Sequence, residues 1–66
     1  MSIQEEKVTV SFEIDREAAW ALAQFCKRTS HSDCADRAAS EDEAYIMMDG
    51  VNAVMRALAE TGISPR

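Results

Sequence analysis

Sixty-six residues and 7.3 kDa leave room for one small core and two or three secondary-structure elements. Many chains of this size add a disulfide, a metal or a partner chain to stay folded. Seven basic residues against twelve acidic ones give a net charge of −5, which opposes nonspecific attraction to nucleic acid or to an anionic membrane. With 47% hydrophobic and 29% charged residues, two Gly and one Pro, the composition is that of a folded domain and not of a disordered one.

The opening residues, Met1-Ser2-Ile3-Gln4-Glu5-Glu6, are polar and acidic and have no period. They read as a flexible arm over 1–6, without the basic and apolar regions of a signal peptide. No apolar run approaches the length of a membrane span. The expected location is the cytoplasm, so Cys26 and Cys34 are expected as thiols. Cys26, His31, Asp33 and Cys34 supply metal-ligating groups, yet their spacing matches no closed zinc pattern, and neither metal nor cofactor is expected.

From Lys7 to Ile14, Val8, Val10, Phe12 and Ile14 alternate with Thr9, Ser11 and Glu13. A period of two with β-branched enrichment predicts a half-buried strand. Asp15 is placed to cap a helix from about Arg16 to Arg28, with Ala18, Ala19, Leu22, Phe25 and Cys26 on its core stripe. Trp20 falls off that stripe, either covered by the rest of the chain or free as an aromatic anchor for a partner.

Residues 29–39 read as a long connection in which Ser32 or Asp33 caps a short turn of helix, with His31 a solvated loop residue. Ser40-Glu41-Asp42-Glu43 fits the S-x-x-E capping box and opens a second long helix. That helix runs to about Glu60 or Thr61 and stops at Gly62. Ala44, Met47, Met48, Val51, Val54, Met55 and Leu58 make its core stripe, Gly50 marks a possible close crossing, and Ile63 is placed to pack back after the stop. The expected domain is therefore 7–63, with 64–66 a tail.

One strand and two helices define an α+β chain of order β-α-α. A lone strand leaves its backbone groups unpaired, so the expected completion is a homodimer in which the strands of two copies pair. The acidity is uneven: residues 1–15 carry −3, 16–39 carry +1, 40–61 carry −4 and the tail +1. Glu41, Asp42, Glu43 and Asp49 are either a solvated face or a surface that docks on a basic site of another protein. Glycine-rich phosphate loops, H-E-x-x-H, C-x-x-C and G-x-S-x-G are all missing from the sequence, so an enzyme is not expected.

Two resemblances bear on function. The start Lys7-Val-Thr-Val-Ser-Phe, followed by a helix, resembles the opening of ribbon-helix-helix proteins. That resemblance implies a DNA-binding regulator or antitoxin with Lys7, Thr9 and Ser11 facing DNA, although Glu13, the long connection and the net charge depart from it. The stretches VTVSFEIDREAAWALAQFCKR and SEDEAY…ALAETGISPR are similar to small acidic proteins of prophages and other mobile elements. That similarity implies an anti-defence role of the anti-CRISPR or anti-restriction kind, exerted by covering a host complex's working surface. The leading expectation is an acidic, non-enzymatic, dimeric interaction protein that docks through Glu41, Asp42, Glu43 and Asp49, with Trp20 as anchor. A partner-stabilising structural subunit is a third reading.

Overall fold

A computed structural model describes residues 6–64, so most of the expected arm and the last two residues of the tail lie outside the described residues. Three helices follow in order: α1 (Arg16–Arg28), α2 (His31–Arg37) and α3 (Glu41–Glu60). Both α1 and α2 pack on α3. The chain is all-α, and the expected strand over 7–14 is not formed among the described residues. The segment has no regular secondary structure and makes no backbone bond to a neighbouring strand among the described residues. Alternation of side chains sets which face a strand would show, whereas a ladder needs a second backbone.

Val8, Val10, Phe12 and Ile14 are accordingly exposed, from 83% at Val8 down to 44% at Ile14. The first backbone bond at this end is the one Asp15 accepts from the Ala19 N–H, which opens α1. Asp15 holds the N-cap position, but its side chain makes no capping bond.

The phase of α1 differs from the sequence expectation. Ala19, Ala23 and Cys26 are buried and Leu22 packs beside them, while Ala18 and Phe25 are exposed. At 100° per residue the buried stripe is turned about 60° toward Ala23. Alanines let two helix backbones approach closely, and the bulky Phe25 falls outside such a contact. The main cluster joins Ala19 and Ala23 to Leu58 and Ile63, with Leu22 and Val54 against it. On α3 the protected positions are Ala44, Met47, Met48, Val51, Val54, Met55 and Leu58, the stripe its period predicts.

The C-terminus of α3 closes as a Schellman motif. Gly62 donates to the Ala59 carbonyl at 2.9 Å, and Ile63 donates to the Leu58 carbonyl at 3.0 Å. Gly62 sits at φ 94°, a left-handed conformation that an L side chain resists. The reversal turns Ile63 back onto Leu58 and buries it. Gly50 is different. A Cβ there would meet nothing within 4 Å, so it marks no close crossing.

The core is thin. Among the described residues the buried ones are Ala19, Ala23, Cys26, Cys34, Ala44, Leu58 and Ile63, and no large side chain is fully enclosed. The chain exposes 5354 Å², against about 4200 Å² for a compact monomer of its mass. Its radius of gyration is 13.2 Å, where a compact chain of this length has about 11 Å.

The two glycines are expected to respond oppositely to substitution, measured as shifts in urea or thermal midpoint. Gly62→Ala forces a side chain into left-handed backbone and should lose about 1–2 kcal/mol. Gly50→Ala improves helix propensity in open space and should gain about 0.5–1 kcal/mol.

Candidate functional site

The carboxylates that open α3 have two jobs. Ser40 Oγ accepts from the Glu43 N–H at 3.2 Å, as the capping box requires. The Glu43 carboxylate reaches past Ser40 and accepts from the Ala39 N–H, one residue earlier than the box expects. Glu43 is thus partly committed to holding the α2–α3 junction. Glu41 and Asp42 make no such bond among the described residues and are exposed, together with Asp49 two turns on. At the positive end of α3 the three first-turn carboxylates are electrostatically favoured.

Helical spacing decides which of these groups share a face. Asp42 and Asp49 are seven residues apart and stand one above the other. Between them, at three and four residues from each, lie Tyr45 and Ile46. Both are open to solvent, Tyr45 at 57% and Ile46 at 66%. The result is an exposed aromatic and aliphatic pair bracketed by carboxylates, with Glu41 near one edge. The sequence reading named the acids and missed Tyr45 and Ile46. The signal was available: neither lies on the core stripe, yet both are large and apolar.

α2 supports this face from behind. Ser30 caps it, not Ser32 or Asp33, and the helix begins two or three residues earlier than expected. The capping box is reciprocal: the Asp33 N–H donates to Ser30 Oγ at 3.3 Å, and the Ser30 N–H donates to Asp33 Oδ2 at 2.9 Å. The Ser30 hydroxyl also donates to Asp33 Oδ2 at 3.1 Å. These bonds favour the ionised carboxylate and hold the Asp33 pKa below its ordinary value of 3.8, with Arg37 adding a smaller attraction. His31 is the first residue of α2, half-buried, and not the solvated loop residue its neighbours in sequence suggested. Its ring lies 4.5 Å from the Tyr45 ring, centroid to centroid, at a tilt of 39°. Its Nε2 is buried without a hydrogen-bond partner. Tyr45 is therefore held from the α2 side and open on the other, the posture of a preordered anchor.

The remaining expected residues lie elsewhere. Trp20 stands on α1, half-exposed. Lys7, Thr9 and Ser11 are exposed along the extended segment and are not brought to the α3 face. Cys26 and Cys34 are free thiols, both buried, and burial pushes the Cys26 thiol up in pKa. Among the described residues no cluster of three or more His, Cys, Asp or Glu side chains is arranged to hold a metal. No helix among them is long and apolar enough to cross a membrane.

A second feature is an open groove of about 920 Å³ between the extended segment and the helices. Val8, Val10, Phe12 and Ile14 line one side, and Ala53, Val54, Ala57 and Ile63 line the other. Its surface is mainly apolar.

The described residues form a small all-α fold that leaves apolar side chains exposed on the N-terminal segment, on α1 at Trp20 and Phe25, and on α3 in the carboxylate-bracketed pair. The chain belongs to a family described as a family of unknown function, DUF7706, which matches residues 1–66. No curated protein and no solved structure matches it.

The Asp33 box gives a pH signature. Its folded pKa is depressed, so its contribution to stability is complete above the ordinary carboxylate range. It fades as pH falls below about 4 toward the lowered folded value. Thermal melts of Asp33→Asn are expected to lie below wild type at pH 7 and to converge on it in acid. A gap of constant size across that range would show that the ionised carboxylate contributes nothing.

Proposed function

We propose that this is a non-enzymatic interaction protein that binds a basic surface of another protein through the exposed face of α3. The observation that carries the reading is the spacing of Asp42, Tyr45, Ile46 and Asp49: an apolar anchor backed by His31 and flanked by carboxylates. In such an arrangement the charges steer encounter and reject acidic partners, while the aromatic, buried on binding, carries most of the affinity. Glu41 extends the negative potential, and Glu43 contributes less because it also caps the α2–α3 junction. Trp20 is a secondary anchor on α1. The resemblance to small acidic proteins of mobile elements extends the proposal to inhibition of a host-defence complex, by covering a basic surface that otherwise holds nucleic acid.

A second reading has its own support. The extended segment runs directly into α1 with Lys7, Thr9 and Ser11 exposed on alternate positions. This is the order of elements in the ribbon-helix-helix resemblance, and it would make the protein a DNA-binding regulator or antitoxin. Glu13 beside those positions and the net charge of −5 weigh against phosphate contacts. A gel-shift series on upstream DNA at low salt separates the two readings, since only the second gives a specific complex.

The leading reading is tested by affinity capture from the native host, followed by kinetics with the purified partner. Asp42→Lys with Asp49→Lys is expected to slow association by about tenfold or more and to flatten its salt dependence. Tyr45→Ala should act mainly on dissociation, costing about 2 kcal/mol or more. Unchanged kinetics in both variants would remove this face from the interaction.

A further inference from the structure

The extended segment supports a separate inference, independent of the α3 face. Its four large apolar residues alternate in sequence with polar ones, are exposed, and border, together with Ser11 and Glu13, a groove whose far wall is mainly apolar. Among the described residues no backbone bond is made by residues 6–14. The chain exposes 5354 Å², about 1200 Å² more than a compact monomer of its mass. A standard interface removes about 800 Å² from each partner. Val8, Val10, Phe12 and Ile14 of the segment are among the large apolar residues left exposed, with Trp20, Phe25, Tyr45 and Ile46.

We propose that a second copy of this chain closes the groove, its own 7–15 segment running antiparallel to the first about a twofold axis. Two considerations choose the copy and the register. Register follows the apolar pattern, because a slip by one residue turns the whole set to the other face. With Ser11 opposite Ser11, Val8 faces Ile14 and Val10 faces Phe12, so all eight large apolar side chains of the two segments meet an apolar partner. Charge then agrees without adjustment. Lys7 of each copy stands opposite Asp15 of the other with Glu13 diagonal to it, and Thr9 stands opposite Glu13. Moving the axis to Val10 would set Ile14 against Glu6; moving it to Thr9 would set Phe12 against Glu6 and leave Ile14 beyond the pairing. The segment is thus complementary to itself, in side-chain size and in sign. Each isolated chain remains all-α, and the pairing belongs to the assembly.

The register makes a sharp test possible. Directly opposed residues in an antiparallel pair have Cα atoms about 4.5–5.5 Å apart, within the span of a disulfide. Ser11→Cys is therefore expected to form an interchain disulfide under mild oxidation. Thr9→Cys and Glu13→Cys place their thiols about 14 Å apart across the axis and should stay at the wild-type level. Wild type is a fitting control because both native thiols are buried. Positions 9, 11 and 13 are solvent-exposed in the single chain and lie outside its helices, so the substitutions leave the helices intact. Light scattering on the unmodified protein should give twice the 7.3 kDa chain mass, and Val10→Asp should return it to one chain while circular dichroism keeps the helix signal. A wild-type mass of one chain at about 100 μM, at least tenfold above a micromolar dissociation constant, would overturn the proposal and leave the groove to another protein. Crosslinking that peaks at 9 or 13 rather than 11 would overturn the register and the charge argument with it.

Discussion

The structure depends on how little this chain is able to bury by itself. α1 meets α3 through Ala19 and Ala23, and the enclosed set is made of small residues with only Leu58 and Ile63 of larger size. Small side chains allow a close helix contact, yet each removes little apolar area from water. The large apolar groups remain outside: Val8, Val10, Phe12 and Ile14 on the segment, Phe25 on α1, Tyr45 and Ile46 on α3. Fully burying one such side chain is worth about 1.5–3 kcal/mol. Whole domains are stable by only about 5–15 kcal/mol. The exposed groups therefore represent a free energy comparable to the stability of the fold, realised only on association.

What holds the single chain in shape is largely local. α2 and α3 each begin with a side-chain cap, and α3 ends in a Schellman reversal that plants Ile63 on Leu58. Such bonds satisfy the free N–H and C=O groups at helix ends, typically at about 1 kcal/mol each. They also set geometry. The Ser30–Asp33 box orients α2 so that His31 backs Tyr45. Glu43 ties α3 to the residue just before its cap. One of the three carboxylates at 41–43 thus completes a junction within the fold.

The exposed α3 face and the N-terminal segment differ in their physics. On α3, charge surrounds a single aromatic anchor, an arrangement suited to selecting a basic surface by encounter rate and sign. The segment at 7–15 offers continuous alternation and free backbone groups, an arrangement suited to adding another extended chain. They use different residues, so a dimer formed through the segment leaves Asp42, Tyr45, Ile46 and Asp49 available.

The contrast between sequence and structure follows from which forces are local. The bounds of α1, the Ser40 cap, the stop at Gly62 and every protected position of α3 were legible, because capping chemistry and a 3.6-residue period act over a few neighbouring residues. Ser30 as the cap of α2 was missed among competing turn-formers. Tyr45 and Ile46 lie off the core stripe of α3, and only their size and apolar character mark them in the sequence. By itself the sequence determined three things: where the long helices lie, the face α3 turns inward, and the alternating pattern of segment 7–14. Tertiary structure alone decided the rotation of α1 that excludes Phe25, the placing of His31 behind Tyr45, and the absence of a strand among the described residues. Those depend on which surface is opposite, and a backbone ladder in particular needs a second backbone that no local pattern supplies.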